Sequence, residues 1–333
     1  MNIRVAVVGA GSWGTTVAHL CADNAPTMIH SRREDVTDAI NSNHENPRYL
    51  KGFSLHPELR ASTALDDLVR QADVLVMGVP SAGFRDTLLA IRPHLRPWVP
   101  VVSLAKGLEL GTRKRMTQLV EEELPGHPVG VLTGPNLAKE ILAGNAAAAV
   151  VAFTDLTIAE QLQHVFSSQL FRVYSSSDVV GCELGGALKN VIALAAGMAD
   201  GLETGDNTRA AIITRGLAEL TRLGVAMGGE PATFAGLAGM GDLLATCMSP
   251  QSRNRHVGER LGRGETIDQI TADMDQVAEG VKSAPIVVEI AEELGVYMPI
   301  AEQVRACVQE GRSANEAYVG LVASPAQREI DPD

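Results

Sequence analysis

The sequence predicts an α/β N-terminal domain with a doubly wound, mostly parallel sheet, followed by an all-α C-terminal domain. Three observations support this fold class. A glycine-rich segment lies between a strand and a helix near the N-terminus, valine-rich strands alternate with helical stretches up to about residue 178, and beyond that point the helical period takes over. We therefore expect two domains, 1–178 and 179–333, each long enough to bury a core.

Composition and charge narrow the class of protein. Hydrophobic residues make up 45% of the chain and charged residues 20%, as in ordinary globular proteins. The formal net charge of −12 argues against nucleic acid or an anionic membrane surface as the main partner, although a local basic pocket could still bind an anionic metabolite. The four cysteines are scattered without zinc-type spacing, so we expect reduced thiols and no metal site.

The start of the chain indicates where the protein works. Met1 leads directly into a strand-like segment that does not resemble a secretory signal. No apolar run approaches the roughly 18 residues that a membrane span needs. We therefore predict a cytoplasmic protein without membrane insertion.

The first strand-like segment, residues 3–8, is followed at once by the pattern GxGxxG and then by a helix. In this pattern Gly9 makes a tight turn, Gly11 lets the backbone approach a pyrophosphate, and Gly14 allows close packing of helix and strand. A strand, a glycine loop and a helix in this order are typical of the Rossmann dinucleotide-binding fold. We predict that these glycines bind a dinucleotide.

Four further residues bear on the cofactor. Ser12 and Trp13 lie within the glycine loop, where they can touch the cofactor, although Trp13 could equally be a packing residue. The predicted second strand ends before Arg32 and Arg33, at the position where an enzyme specific for NAD tends to carry an acidic residue. Because Arg offers paired donors to phosphate oxygens, we predict NADPH as the cofactor, with NADH as the alternative. A solvated arginine pair is the competing interpretation.

The remaining strands of the sheet place two loops at its ligand-binding edge. Parallel sheets bind ligands at the carboxyl ends of their strands. Lys106 follows one predicted strand and the loop 134–140 follows the next, so both become candidates for contact with substrate or nicotinamide. The competing interpretation of Lys106 is a solvated surface lysine, which is the commoner case before a glycine turn. Strands are predicted at 3–8, 27–30, 74–79, 99–104, 129–133, 146–153 and 170–174.

Lys189 is the one cation in the apolar, helical run 185–201. The helix face that carries it is otherwise glycine and alanine, while leucine, valine, isoleucine and methionine cover the other sides. A buried lysine needs an anion or a chemical role, because an isolated charge is costly in a low dielectric. The small residues could make room for a ligand, or they could form a helix crossing from which the lysine reaches water.

The second half of the chain carries a dense cationic cluster at residues 252–256, about ten residues after Asp242. Arginine and asparagine donors suit a phosphate monoester, whereas the competing interpretation is a solvated patch at a helix start. Asp242 could orient Lys189 or bind a substrate hydroxyl. Helices are predicted at 185–201, 207–223, 231–247, 283–294 and 299–308.

With these residues in view, the chain resembles the bacterial-type NAD(P)-dependent glycerol-3-phosphate dehydrogenases over almost its whole length. The resemblance implies a Rossmann domain followed by a helical domain, reversible reduction of dihydroxyacetone phosphate to sn-glycerol 3-phosphate for glycerophospholipid synthesis, and a homodimer. The motifs that carry it lie at 9–15, 106–109, 134–140, 186–191, 239–243 and 251–255.

The resemblance also implies roles for individual residues, with Lys189 as the catalytic acid and base. Asn136 departs from the family pattern, in which Ser or Thr is often found at this position. The substrate would be surrounded by Lys106, Gly134, Asn136, Lys189, Asp242, Ser252, Arg253 and Asn254. The cofactor would contact Gly9, Gly11, Ser12, Trp13, Gly14, Arg32, Arg33, Lys106, Ala138, Arg253, Val277 and Glu279.

Two other functions stay open at this point. One is a related two-domain dehydrogenase that acts on a different keto acid or a sugar acid, and the other is a catalytically silent NADPH-binding redox sensor. The pairs 189–190 and 253–254 favour a small phosphate ester as substrate. Lys106, Lys189 and Asp242 together argue against a sensor, which needs only the glycine loop.

Overall fold

The structure is a computed structural model that describes residues 3–274 and 278–323. In these residues eight strands form one sheet: β1 Val5–Val8, β2 Thr27–His30, β3 Arg60–Ser62, β4 Val74–Met77, β5 Val101–Ser103, β6 Val129–Thr133, β7 Ala147–Phe153 and β8 Phe171–Ser176. The strand order is β3-β2-β1-β4-β5-β6-β7-β8. Neighbouring strands pair in parallel except β6 and β7, which are antiparallel.

Sixteen α-helices accompany the sheet in the described residues: α1 Ser12–Ala22, α2 Glu34–Asn43, α3 Leu65–Gln71, α4 Phe84–Ile91, α5 Met116–Glu123, α6 Ala138–Leu142, α7 Leu156–Phe166, α8 Val179–Gly201, α9 Asp206–Ala226, α10 Pro231–Phe234, α11 Asp242–Met248, α12 Arg253–Gly262, α13 Ile267–Ala272, α14 Glu279–Leu294, α15 Pro299–Gln309 and α16 Ala314–Ala323. The helices after β8 follow one another with no further strand in this part of the described chain, as the sequence predicted.

Both faces of the sheet are covered, which explains the valine-rich strands. In β1 the side chains of Val5 and Val7 belong to one buried cluster, and those of Ala6 and Val8 belong to another on the opposite face. Successive strand residues point to opposite faces, so a strand buried on both sides needs a continuous apolar run. The predicted doubly wound, mostly parallel sheet is thereby confirmed.

The described residues form two compact units. The first holds those within Met1–Ala187 and Met227–Asp242, and the second holds those within Leu188–Ala226 and Leu243–Asp333. This division differs from the predicted boundary after residue 178, because residues 179–187 and 227–242 pack within the first unit. The division by fold into 1–178 and 179–333 stays a prediction.

The predicted helix 231–247 is wrong as a single element. It consists of α10, one π-helical turn at Leu237–Gly241, and α11. The break occurs at Gly236, whose φ and ψ of −93° and −161° are extended rather than helical. Gly239 lies so close to the backbone of Phe234 that a Cβ would be 2.1 Å from the Phe234 carbonyl oxygen. A helical period cannot reveal this local compaction.

Helix α8 is longer and more apolar than any single run that the sequence reading recognised. By length and composition it could cross a membrane, with a mean hydropathy of 1.5 in its most apolar window, yet 94% of that window is buried inside the protein. A buried core helix passes the same test. Contrary to the prediction from the sequence, the described chain therefore contains an apolar run of membrane-spanning length, and this run is a buried helix.

The glycines of α8 allow the backbone of neighbouring segments to pack closely against the helix. A Cβ at Gly185 would lie 2.4 Å from the carbonyl oxygen of Ala238, within the first unit. A Cβ at Gly197 would lie 2.0 Å from the carbonyl oxygen of Arg255, within the second unit. Neither position has space for a side chain, so at these two glycines the helix-crossing interpretation is the one that holds.

Candidate active site

The turn between β1 and α1 contains the glycine motif. Gly9 has a φ of +113°, and a Cβ there would lie 2.6 Å from the carbonyl oxygen of Gly78. A Cβ at Gly14 would lie 2.1 Å from the carbonyl oxygen of Gly9, so neither position tolerates a side chain. At Gly11, which precedes α1, nothing lies within 4 Å of a Cβ position. This open backbone at a helix N-terminus fits a pyrophosphate.

A segment that the sequence reading did not single out packs against this turn. The fully buried Asn46 donates from Nδ2 to the carbonyl oxygen of Ala10, at 3.0 Å, and to Oγ1 of Thr15, at 2.9 Å. The hydroxyl of Ser12 donates to the carbonyl oxygen of Tyr49 at 3.4 Å. The Asn-Pro pair at 46–47 signals a turn and nothing more, so these contacts could not be read from the sequence.

Trp13 is a packing residue in this structure. Its ring lies edge-on to Phe171 with the ring centroids 6.2 Å apart, against the buried cluster of one sheet face. The indole Nε1 is buried without a hydrogen-bond partner. The packing interpretation of Trp13 therefore holds, and its contact with a cofactor stays a prediction.

The two arginines after β2 are in different states. Arg33 forms a two-pronged ion pair with Asp35, with Nε 3.0 Å from Oδ1 and Nη2 2.9 Å from Oδ2. The hydrogen bond from Arg33 lowers the pKa of this exposed carboxyl. The side chain of Arg32 is exposed, and the hydroxyl of the buried Ser31 accepts from the backbone N–H of Arg33 at 3.1 Å. A phosphate at Arg33 would compete with Asp35, whereas Asp35 does not engage Arg32.

Within the first unit, Lys106 lies beside Gly134 and Asp242. Its Nζ donates to the carbonyl oxygen of Gly134 at 2.9 Å and to Oδ2 of Asp242 at 2.8 Å. Asp242 is 2% exposed and the Lys106 side chain is 19% exposed. Lys106 is therefore not the solvated surface lysine of the competing interpretation. The structure brings three of the predicted substrate residues together in one buried ion pair and its neighbouring carbonyl.

The end of β6 adds polar groups that the chain itself does not satisfy. The side-chain amide of Asn136 is buried, and both its oxygen and its nitrogen lack a hydrogen-bond partner. The hydroxyl of Thr133 is also buried and unpartnered. Buried polar groups in folded proteins are almost always hydrogen-bonded, so these atoms indicate a polar ligand or ordered water. Thr133 was not among the predicted site residues.

Within the second unit, the ammonium group of Lys189 is buried beside a hydroxyl group. Lys189 is 4% exposed, and its Nζ donates to Oγ1 of Thr246 at 2.6 Å. The lysine therefore does not reach out to water, as the snorkelling interpretation would require. The sequence reading missed Thr246. The available signal was its position one helical turn after Asp242 on α11.

Asn254 already uses its side-chain amide inside the second unit. Its Nδ2 donates to Oδ1 of Asn190 at 2.9 Å, and its Oδ1 accepts from the backbone N–H of Gly280 at 2.9 Å. Asn254 thereby connects α8 to the start of α14, where Glu279 is the first residue. The structure shows a structural role for Asn254, and its contact with substrate stays a prediction.

The cationic cluster at 252–256 has a defined structure. The hydroxyl of Ser252 accepts from the backbone N–H of Arg255 at 3.2 Å and so caps α12. The guanidinium of Arg255 pairs with Asp200 at 2.8 Å. Arg253 is exposed at the first residue of α12, where the positive end of the helix dipole also favours an anion. Of this cluster, Arg253 has the position best suited to a phosphate.

Two predicted cofactor residues remain to be placed. Ala138 begins α6, directly after the loop that contains Gly134 and Asn136. Val277 lies outside the described residues. The predicted site residues in the described chain thus fall into one group in each unit, with the partly buried Lys106 in the first and the buried Lys189 in the second.

A glycine loop on a doubly wound sheet, together with a buried ammonium beside a hydroxyl, defines the class of dinucleotide-dependent dehydrogenases. Two family models match the chain, the NAD-dependent glycerol-3-phosphate dehydrogenase N-terminus at residues 4–159 and its C-terminus at residues 178–319. The chain belongs to the NAD-dependent glycerol-3-phosphate dehydrogenase family.

Individual relatives agree with this assignment over the full length. The chain is 57% identical over 332 residues to glycerol-3-phosphate dehydrogenase [NAD(P)+] 2 of Sphingopyxis alaskensis, covering 100% of each chain. It is 55% identical over 328 residues to glycerol-3-phosphate dehydrogenase [NAD(P)+] of Mycobacterium avium, covering 98% of this chain and 96% of that one. The crystal structure of glycerol-3-phosphate dehydrogenase from Coxiella burnetii has 33% identity and a TM-score of 0.91, covering 97% and 99% of the two chains.

Proposed function

We propose that this protein is an NAD(P)-dependent glycerol-3-phosphate dehydrogenase that reversibly reduces dihydroxyacetone phosphate to sn-glycerol 3-phosphate. The observation that carries the proposal is the burial of Lys189, whose ammonium group donates to Thr246 within 2.6 Å in a chain of this family. A buried ammonium of this kind can stabilise and protonate an oxygen that gains negative charge.

The reaction follows from what these side chains can do. A reduced nicotinamide dinucleotide, which the glycine turn at Gly9, Gly11 and Gly14 would bind, would supply the hydride for the ketone carbon. Lys189 donates a hydrogen bond to the ketone oxygen and then transfers a proton to it, which yields the secondary alcohol. Thr246 accepts one ammonium hydrogen and orients Lys189, while Lys106 and Asp242 offer a donor and an acceptor to the polar groups of the substrate. Arg253 is the proposed partner of the phosphate.

The first test is cofactor oxidation, followed by nicotinamide absorbance, with dihydroxyacetone phosphate and either NADPH or NADH. We expect wild-type protein to be active and Lys189→Ala to lose at least about a thousandfold in kcat, since it removes both the charge stabilisation and the proton. Lys51→Ala, which removes an exposed lysine from a turn, is the matched control and should match wild type. A loss in Lys189→Ala confined to KM would make Lys189 a binding residue.

The proposed cofactor is NADPH, with NADH as the alternative, and the state of Arg33 gives a test. Because Asp35 holds Arg33 in an ion pair, Asp35→Asn should free Arg33 for the 2′-phosphate and raise the NADPH-to-NADH ratio of kcat/KM by about three- to tenfold. Arg32→Ala should lower the same ratio. An unchanged ratio in both variants would show that neither arginine reads the phosphate.

The remaining parts of the proposal concern the cellular location, the oligomeric state and the metabolic role of the enzyme. We place it in the cytoplasm, as a homodimer without membrane insertion or nucleic-acid binding, supplying glycerol 3-phosphate for phospholipids. The net charge of −12 argues against nucleic-acid binding, and the burial of α8 argues against its insertion into a membrane. Light scattering of the purified protein tests the dimer, and fractionation of cells tests the location.

The same assays separate the competing functions. A related dehydrogenase would reduce a different keto acid or oxidise a sugar acid, and would leave dihydroxyacetone phosphate unchanged. A redox sensor would bind NADPH without hydride transfer. The unpartnered amide of Asn136 and the ion pair of Lys106 with Asp242 favour an enzyme, because a sensor has no need of buried polar groups outside its cofactor loop.

A further inference from the structure

The loop 106–115, between β5 and α5, begins with Lys106 and folds back on itself. Leu108 is buried and pairs with Arg115 in an antiparallel bridge, and the backbone N–H of Glu109 donates to the carbonyl oxygen of Lys114 at 2.9 Å. The chain enters this loop from a fixed point, because the backbone N–H of Leu104 donates to Met77 at 3.0 Å.

Arg85 of α4 holds the part of the loop that follows Lys106. Its Nε donates to Oε1 of Glu109 at 2.7 Å and its Nη2 donates to Oε2 of the same carboxylate at 2.9 Å. Two parallel hydrogen bonds from a planar guanidinium set the distance and the orientation of a carboxylate together. The Glu109 side chain is 15% exposed, so this pair is less screened by water than a surface pair.

Arg85 has two more acidic partners, both outside the loop. Glu122 and Glu123 lie on α5, with Glu122 Oε2 3.0 Å from Nη2 of Arg85. Removing Glu109 therefore leaves the charge of Arg85 paired but breaks the hold of Arg85 on the loop. Glu122 also accepts from Nζ of the loop residue Lys114 at 2.8 Å, whereas Glu123 pairs with Arg85 and Arg92, both outside the loop. Removing Glu123 therefore takes away one partner of Arg85 and leaves the contacts of the loop in place.

We propose that Glu109 is a positioning residue for Lys106, which it holds in place through its two-pronged pair with Arg85. Lys106 lies between two fixed points, Leu104 on one side and Glu109 on the other, only five positions apart in sequence. With both ends fixed, its ammonium stays on Asp242 and on the carbonyl of Gly134. This inference rests on the proposed function, in which Lys106 binds the substrate.

The test compares Glu109→Gln with Glu123→Gln, each of which removes one negative charge beside Arg85. We expect Glu109→Gln to raise KM for dihydroxyacetone phosphate about tenfold and to change kcat less, because Lys106 loses its position while Lys189 keeps its own. Glu123→Gln should stay within about twofold of wild type, because its hydrogen bonds come from Arg85 and Arg92 and none reaches the loop. Arg85→Lys should behave like Glu109→Gln, since lysine keeps the charge but lacks the planar fork. Equal effects of Glu109→Gln and Glu123→Gln would overturn the inference.

A double-mutant cycle shows whether Glu109 acts through Lys106. In a Lys106→Met background, Glu109→Gln should change kcat/KM by less than about twofold, because there is no ammonium left to position. A full additional loss in that background would mean that Glu109 has a general structural role, and would overturn the inference.

Amide hydrogen exchange tests, independently of catalysis, whether the pair of Glu109 with Arg85 fixes the loop. Exchange within residues 106–115 should become faster in Glu109→Gln and stay unchanged in Glu123→Gln. An inactive wild-type protein would count against the proposed function. Unaltered exchange in Glu109→Gln would instead count against the positioning role of Glu109.

Discussion

The stability of the second unit should depend on pH through one buried acid, Glu219 of α9. Glu219 is 1% exposed, and its Oε1 and Oε2 accept from the backbone N–H groups of Ile300 and Ala301 at 2.8 and 3.2 Å. These are the first N–H groups after Pro299, at the start of α15, where a helix has no partners of its own. Glu219 is thus a cap supplied by another helix.

Burial sets the pKa of this acid. Loss of water around the carboxylate raises the pKa of Glu219 from 4.5 to about 7. The hydrogen bonds from the two backbone N–H groups act in the opposite direction but are the smaller effect. Between these two values the folded protein binds a proton that the unfolded chain has released. The free energy of unfolding should therefore fall as pH rises from about 4.5 to 7 and level off above, by a total of about 3 kcal/mol from this group.

Glu219→Gln isolates that contribution because glutamine does not titrate. The variant should lose one of the two backbone hydrogen bonds at every pH, which costs about 1–3 kcal/mol. Its stability relative to wild type should then improve by up to about 3 kcal/mol between pH 5 and pH 8. Burial lowers the pKa of His19 and His30, which gives wild type an opposite slope, but that slope is common to both proteins and cancels in the difference.

The assay is urea unfolding of both proteins at matched pH, read from the transition that the substitution shifts. Glu289→Gln, which removes an exposed acid from α14, controls for the loss of one charge. A difference between Glu219→Gln and wild type that is equal at pH 5 and pH 8 would refute the reasoning, because it would place the titration of Glu219 at the same pH in both states.

Two further predictions concern Thr246 and Gly197. Thr246→Val removes the hydroxyl that accepts from Lys189, so kcat should fall by about 10- to 100-fold while Thr246→Ser retains most activity; steady-state kinetics checks this, and equal losses in both variants would contradict it. Gly197→Ala should destabilise by about 1–3 kcal/mol, because its Cβ would lie 2.0 Å from a backbone oxygen. Gly320→Ala on α16 meets only ordinary contacts and should stabilise by up to about 1 kcal/mol; urea midpoints compare the two, and matching shifts would contradict the packing argument.

The parts of the fold that depend on local sequence could be predicted. The strand, glycine turn and helix at Gly9 to Gly14 are specified by residues within one turn of each other, and the alternation of later strands and helices follows from apolar periodicity. The three-residue strand β3 was missed, because Arg60–Ser62 has no apolar run of its own and pairs only through β2. Its strand conformation depends on its neighbour in the sheet.

The site could be predicted where a residue type is unusual for its surroundings. Lys189 was conspicuous because a charge in an apolar helix is rare, and the structure indeed buries it. Thr246 and Asn46 were not conspicuous, since threonine and asparagine are common and their contacts join residues far apart in the chain. Such contacts depend on the tertiary fold and leave no local pattern.

Hydrogen bonding separates the buried polar groups of the first unit into two kinds. The carboxylate of Asp178 accepts from the N–H groups of Gly181 and Glu230 and from the hydroxyl of Thr233, so the chain satisfies it. Glu183, likewise, accepts three hydrogen bonds from residues 115–117. Groups satisfied in this way stabilise the fold and need no ligand.

Asn136 is a buried polar group of the second kind, whose hydrogen bonds the described chain does not satisfy. Its buried amide has no partner for either atom, and a buried amide without hydrogen bonds costs several kcal/mol unless a ligand or water supplies them. The amide carries its acceptor and its donor on two separate atoms, whereas a serine or threonine hydroxyl at this position would carry both on one oxygen. A site built around Asn136 therefore suits a ligand that presents both a donor and an acceptor, which the hydroxymethyl ketone of dihydroxyacetone phosphate does.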